Sequence, residues 1–98
     1  MSGAADAAIG TIRRSLAIAN KRGLHARAAG KFVRTAGQFD ASVRVSFKGQ
    51  EVSGLSIMGL MMLAAGIGSS IVLSCAGRQA TEAMAALAAL VEGKFGED

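Results

Sequence analysis

The sequence predicts one α+β domain of two layers, in which helices cover one face of an antiparallel-dominated sheet. The chain has 98 residues, the length of a single domain with a single core. Its alternating and helical apolar spacings follow one another in the order β-α-β-β-α-β-α. Neighbouring strands joined by a hairpin turn, combined with helical crossovers, favour this architecture over a parallel sheet.

The first half of the chain contains three predicted strands and one helix. Residues 15–20 alternate and predict a strand, which Gly23 interrupts. Residues 26–36 have helical spacing and predict a helix. Residues 42–47 alternate again, and a Lys-Gly-Gln turn leads into a short strand at residues 51–53.

The second half predicts two helices around one strand. Ser56 is suited to the N-cap of a short helix that continues to about Leu63. Residues 70–76 predict a strand, and residues 79–91 predict a helix that ends at Gly93. The short helix has more large apolar side chains than one core can cover, so part of it should be exposed.

Composition restricts the class of protein. About half of the residues are apolar (51%), which is too many for a disordered chain. The longest nearly unbroken apolar run, residues 57–67, is shorter than the roughly 18–20 residues that cross a bilayer. We expect a cytoplasmic, monomeric protein without membrane insertion, with a flexible leader at residues 1–12 and the domain at residues 13–98. Cys75 is the only cysteine, which predicts a buried strand residue and neither a disulfide nor a metal cluster.

Positive charge is concentrated near the only histidine, His25. The net charge is +4, and seven of the eleven basic residues lie between residues 13 and 34: Arg13, Arg14, Lys21, Arg22, Arg27, Lys31 and Arg34. A charged segment of this kind is usually an ordinary solvated surface. It is also what a surface needs in order to attract phosphate groups or acidic partners.

His25 lies where a predicted loop meets a predicted helix. The backbone N–H groups and the dipole of a helix N-terminus favour an anion and disfavour imidazolium, which should keep His25 neutral and nucleophilic. Arg27 can offer a forked, permanently charged donor to a phosphate oxygen. These residues suit reversible phosphorylation of a histidine nitrogen. On the local pattern alone, a structural, capping His25 beside a solvated Arg27 is slightly favoured over this function.

Two segments of the chain resemble motifs of one family. Gly23-Leu24-His25-Ala26-Arg27 resembles the phosphorylation-site motif of HPr, the histidine phosphocarrier of bacterial phosphotransferase systems, which usually continues with Pro-Ala. Ser56-Ile57-Met58-Gly59-Leu60-Met61 resembles the family's regulatory-serine motif, which follows about thirty residues later. The order of elements is similar to the family fold, an open-faced β-sandwich whose four-stranded antiparallel sheet carries three helices on one face.

The resemblance implies a carrier rather than an enzyme. His25 would accept a phosphoryl group on Nδ1 from phospho-enzyme I, charged by phosphoenolpyruvate, and pass it to a histidine of an enzyme IIA-type protein. Arg27 would stabilise the phosphoryl oxygens, and no cofactor or metal is implied. Ala28 replaces the usual proline, which exchanges some rigidity of the first helical turn for an additional N–H donor. Ala28, the extended leader and the end of the chain, residues 94–98, are more similar to the regulatory, nitrogen-related HPr proteins than to those of sugar uptake.

The resemblance also implies how partners are recognised and regulated. Ser56 would be phosphorylated by an HPr kinase, although Leu55 stands where many relatives have lysine. The residues implied in partner docking are Ala26, Arg34, Ile57, Met58 and Met61. Of the short helix, Ile57, Met58 and Met61 should be exposed and Leu60 buried.

Other functional classes fit the sequence less well. A small basic nucleic-acid-binding domain would share a similar order of elements, but such domains stack bases on exposed aromatic residues. The chain has no Trp or Tyr, and its four Phe residues occupy apparent core positions. An HPr relative that regulates without carrying phosphate would lack the histidine, which is present.

Overall fold

A computed structural model describes residues 10–97. The strands are β1 (Thr11–Ala17), β2 (Ser42–Phe47), β3 (Gln50–Ser53) and β4 (Ser70–Ala76). The helices are α1 (Ala26–Ala36), α2 (Ile57–Met62) and α3 (Ala80–Glu92). A short 3₁₀ turn, Lys94–Gly96, follows α3. The predicted order β-α-β-β-α-β-α is confirmed.

The four strands form one antiparallel sheet in the order β1-β4-β2-β3. The β2–β3 hairpin turns at Lys48 and Gly49, whose φ angles of 50° and 81° are both positive. A two-residue turn with two positive φ angles is of the I′ type, which matches the twist of the strands it joins. Gly49 therefore supplies the conformation that the hairpin requires.

The boundary of the first strand differs from the predicted one. β1 begins at Thr11 and ends at Ala17, so residues 11 and 12 of the predicted leader belong to the sheet, where Ile12 pairs with Cys75. The prediction failed because Arg14 shares its face with Ile12 and Leu16, which hides the alternation of apolar and polar residues. Arg14 is exposed there and contacts Glu92 of α3 at 3.3 Å. Residues 18–25 form a loop, and Gly23 lies within it rather than at the strand end. The rest of the predicted leader, residues 1–9, lies outside the described residues.

The core lies between the sheet and the three helices on one face of it. β2 contributes Val43 and Val45, and both are buried, while the intervening Arg44 is on the open face of the sheet. The largest fully buried side chains are Phe32, Phe95, Ile18, Leu60, Ile71, Leu73 and Leu87. Cys75 is buried as predicted, and burial raises the pKa of its thiol.

Candidate functional site

His25 is the N-cap residue of α1. Its backbone is extended (φ −75°, ψ 178°), and its carbonyl accepts the first helical hydrogen bond, from the Ala29 N–H at 2.9 Å. The N–H groups of residues 26–28 precede that bond and point towards the start of the helix. The imidazole Nδ1 accepts a hydrogen bond from the N–H of Arg27 at 3.3 Å. The predicted setting of His25, at a helix N-terminus with Arg27 in the first turn, is confirmed.

A tightly packed glycine fixes the loop that delivers His25. Gly23 has φ +63°, and a Cβ atom there would lie 2.4 Å from the carbonyl oxygen of Ala65. Only glycine combines this left-handed conformation with so close an approach of two backbone segments. The next residue, Leu24, is buried and donates its N–H to the same Ala65 oxygen at 3.0 Å. The loop is thus attached to the segment after α2 immediately before the histidine.

The second imidazole nitrogen meets a residue that the sequence analysis did not identify. Nε2 of His25 lies 2.6 Å from Oε2 of Glu97, and the two side chains keep only 19% and 15% of their exposure. Asn20, fully buried, donates its amide N–H to the other oxygen of Glu97 at 3.0 Å. The hydrogen bonds from Asn20 and His25, opposed by partial desolvation, lower the pKa of the Glu97 carboxyl. Glu97 is therefore an ionised acceptor at neutral pH.

These contacts assign the tautomer of His25 in its neutral form. A backbone N–H can only donate, so Nδ1 must be the acceptor that carries the lone pair. An ionised carboxylate can only accept, so Nε2 must carry the proton. Both neighbours thus favour the same tautomer, in which the unprotonated nitrogen faces the start of α1.

A basic pocket adjoins this centre. It has a volume of about 350 Å³ and is lined by Lys21, Arg22, Arg27, Lys31, Gly96 and Glu97. Arg27 is exposed, and within residues 10–97 its guanidinium makes no ion pair. Four of the seven basic residues that were predicted to cluster near His25 therefore line one pocket beside it. Four cationic side chains against the one carboxylate of Glu97 give the pocket a net positive charge, which favours a bound anion.

The other three basic residues have different positions. Arg13 donates to the hydroxyl of Ser74 at 3.3 Å, and Arg14 pairs with Glu92. Both residues belong to β1, and neither lines the pocket. Arg34 is exposed in the last turn of α1. The predicted cluster around His25 is thus smaller than the spacing along the chain suggested.

The short helix α2 presents apolar side chains to solvent. The hydroxyl of Ser56 accepts a hydrogen bond from the Gly59 N–H at 2.9 Å, which confirms Ser56 as the N-cap. The exposures of Ile57, Met58 and Met61 are 42%, 67% and 38%, and Leu60 is fully buried. These values agree with the predicted exposures. We call Ile57, Met58 and Met61 the α2 patch.

Residues 10–97 contain neither a metal-binding cluster nor a helix that could span a membrane. In that range no group of three or more His, Cys, Asp or Glu side chains could hold a metal ion. None of the described helices is both long enough and apolar enough to cross a membrane.

The fold and the site define a class of protein. A small α+β domain that presents the lone pair of an imidazole nitrogen at a helix N-terminus, beside four cationic side chains, has the features of a histidine phosphoryl carrier. The family described as PTS HPr component phosphorylation site matches residues 12–93.

Known relatives agree with that class. The chain is 50% identical over 86 residues to phosphocarrier protein HPr of Cupriavidus necator, covering 88% of this chain and 97% of the relative. It is 42% identical over 86 residues to phosphocarrier protein NPr of Shewanella violacea, covering 88% and 94% respectively. The crystal structure of HPr-C-His from Thermoanaerobacter tengcongensis superposes with a TM-score of 0.85 at 41% identity, covering 89% of this chain and 98% of that one. The chain belongs to the HPr family, and it is a phosphocarrier of the phosphotransferase system rather than an enzyme.

Proposed function

We propose that His25 is the residue that carries the phosphoryl group. It accepts the group on Nδ1 from the phosphohistidine of enzyme I and donates it to a histidine of an enzyme IIA-type protein. The observation that carries this proposal is the acceptor contact of Nδ1 with the Arg27 N–H, because it makes Nδ1 the unprotonated nitrogen; this hydrogen bond is released when the N–P bond forms. In the phosphorylated state the same N–H lies next to the phosphoryl oxygens and can donate to them.

For this transfer the protein mainly has to position the imidazole and stabilise the charge on the phosphoryl oxygens. The phosphoryl group moves in line between two imidazole nitrogens of similar leaving ability, so the transfer is close to balanced in both directions. The N–H groups of residues 26–28 and the guanidinium of Arg27 stabilise the oxygens as the group moves. Ala28, in place of the usual proline, provides one of those N–H groups.

Partner docking is proposed for the exposed surface of α1 together with α2. Ala26 and Arg34 are exposed on α1, and the α2 patch is exposed on the neighbouring helix. Flexible methionine side chains adapt to differently shaped partners, which suits a carrier that meets both enzyme I and enzyme IIA-type proteins. Arg34 would meet acidic groups of those partners.

Phosphorylation by enzyme I and phosphoenolpyruvate tests this function. We expect one phosphate per chain, and we expect it to be labile in acid and stable in base, as a phosphorus–nitrogen bond to histidine is. The ³¹P and ¹⁵N NMR spectra of the product should place the phosphorus on Nδ1. A phosphate that is stable in acid, or one attached to Nε2, would contradict the proposal.

We place the chain in a regulatory, nitrogen-related relay, with sugar uptake as the alternative. Residues 94–98 support this placement through their similarity to the regulatory branch, and residues 94–97 belong to the turn and tail beside His25. Relatives with the names HPr and NPr both match, so the acceptor has to be measured. Faster transfer of the label to a nitrogen-type enzyme IIA than to sugar-specific ones is the expected result, and the reverse order would assign the chain to sugar uptake.

Ser56 is proposed as a regulatory phosphorylation site. A phosphate on its hydroxyl adds about two negative charges at pH 7 next to the α2 patch, which would weaken docking of acidic partners. With ATP and an HPr kinase we expect an acid-stable phosphate on the wild-type protein and none on Ser56→Ala. Because Leu55 replaces the usual lysine, absence of the label from the wild-type protein would show that this chain is not a substrate.

A further inference from the structure

Glu97 lies outside both family motifs, yet its carboxylate contacts the imidazole of His25. We propose that Glu97 is a positioning residue, which holds the Nε2 proton of His25 and so keeps the lone pair on Nδ1. The proposal rests on the function proposed for His25. It is carried by the 2.6 Å contact between Oε2 and Nε2 and by the low exposure of both side chains.

The carboxylate is itself held from a second direction. The buried amide of Asn20 donates to Oε1 of Glu97 at 3.0 Å and to the carbonyl of Gly23 at 2.9 Å. Asn20 therefore connects the loop that ends at His25 to the tail that contains Glu97. Because one buried amide donates both to the Glu97 carboxylate and to the Gly23 carbonyl near His25, it fixes the position of the carboxylate relative to the imidazole.

The backbone before Glu97 is shaped to reach this position. Phe95 is fully buried, and its carbonyl accepts a hydrogen bond from Nζ of Lys31 at 2.6 Å. Lys94, Phe95 and Gly96 all have positive φ angles, of 60°, 54° and 75°. Two adjacent non-glycine residues in the left-handed region are uncommon and are maintained only where the surroundings determine them. Here the turn returns the chain from the end of α3 to the start of α1.

The contact matters for the transfer because of the charge that develops on the ring. The Nδ1 lone pair forms the new N–P bond while the N–P bond of the donor breaks, and its electron pair remains on the donor imidazole. Nε2 keeps its proton throughout, so the phosphorylated ring of His25 carries a positive charge. The Glu97 carboxylate lies next to that charge and stabilises it. On transfer to the acceptor, the electron pair returns to Nδ1 and the charge disappears.

Glu97→Gln tests the proposal, because it keeps the size of the side chain and removes the charge. In the unphosphorylated wild-type protein, at a pH where His25 is neutral, ¹⁵N NMR should show a protonated Nε2 and an unprotonated Nδ1. In Glu97→Gln we expect the two ¹⁵N shifts to move towards each other, since a neutral amide can present either its oxygen or its N–H to Nε2 and only the Arg27 N–H still favours one tautomer. We also expect phosphorylation by phospho-enzyme I to slow on the order of 10-fold, as replacement of the partner that orients a functional histidine typically does.

Glu92→Gln is the matched control. It makes the same chemical change at an exposed carboxylate of α3 that pairs with Arg14, and it should leave the tautomer and the rate unchanged. Glu97→Asp, with a shorter side chain, should recover part of the wild-type tautomer signal. Unchanged ¹⁵N shifts and an unchanged rate in Glu97→Gln would overturn the proposal.

The tautomer measurement needs no phosphoryl donor, so the two hypotheses can fail separately. If wild-type His25 is phosphorylated and Glu97→Gln changes nothing, the positioning role is wrong and the carrier role stands. If Glu97→Gln changes the tautomer but His25 takes no phosphate, the contact is real and the carrier role of His25 is wrong.

Discussion

Replacing His25 with alanine is expected to abolish phosphorylation by enzyme I and phosphoenolpyruvate. His25 is the only histidine in the chain, so no other imidazole can accept the group. The acid-labile phosphate measured on the wild-type protein should be absent from His25→Ala, even at long reaction times and high concentrations of enzyme I. Intact-protein mass before and after acid treatment measures the effect directly.

His25→Asn separates the loss of the nucleophile from the loss of the helix cap. The imidazole of His25 accepts a hydrogen bond at the start of α1, and loss of an N-cap side chain costs about 0.5–2 kcal/mol of stability. Asparagine is among the most favourable N-cap residues, but it has no nucleophilic ring nitrogen. His25→Asn should therefore fold like the wild-type protein and take no acid-labile phosphate. Persistence of that phosphate in either variant would contradict the assignment of His25.

Much of the fold could be predicted because the periodic apolar spacing of each segment agrees with the glycine or turn residues that end it. α1, β2 and β4 have the predicted bounds, since each is a periodic segment of one type that ends near a glycine or a turn. In these segments, neighbouring residues are enough to predict the bounds. The burial of Leu60 and the exposure of Ile57, Met58 and Met61 came instead from the resemblance to the HPr family, since the excess of apolar side chains on α2 indicated only that part of this helix is exposed.

β1 shows where this reasoning fails. Its first half contains Arg13 and Arg14, which resemble a solvated segment when only the chain neighbours are considered. Arg13 and Arg14 contact Ser74 and Glu92, which are 61 and 78 residues away, and the strand itself is held by its pairing with β4. A prediction from periodicity cannot include side chains that arrive from the opposite end of the sequence.

The functional site likewise has one part that could be predicted from adjacent residues and one part that depends on distant residues. The setting of His25 and Arg27 depends on a helix start that the adjacent sequence encodes. The contact with Glu97 spans 72 residues and depends on the turn at Lys94–Gly96. One signal was present in the sequence: Phe95 is an aromatic residue just after the glycine that ends α3, and an isolated aromatic residue in a polar tail is a candidate anchor. Because Phe95 is buried, the tail is held against the domain and Glu97 lies beside His25.

Arg27→Ala is expected to slow phosphoryl transfer by about 10²- to 10³-fold, the typical effect of removing one preorganised donor from a developing charge. The guanidinium is exposed, lines the basic pocket and makes no ion pair within residues 10–97, so it is available to the phosphoryl oxygens. Rapid-quench measurement of a single transfer from phospho-enzyme I gives the rate. Thermal stability should change little, within about 0.5 kcal/mol, because Arg27 is exposed.

Arg78→Ala distinguishes this local role from a general effect of net charge. Arg78 is exposed, pairs with Asp40 beyond the C-terminal end of α1, and its removal lowers the net charge by the same amount. If long-range attraction between the carrier and its partners dominates, both variants should slow transfer equally, and added salt should remove the difference from wild type. If Arg27 stabilises the moving phosphoryl group, only Arg27→Ala should slow the single-turnover step at saturating enzyme I. Arg27→Lys should then recover only part of the rate, because lysine keeps the charge but lacks the forked pair of donors.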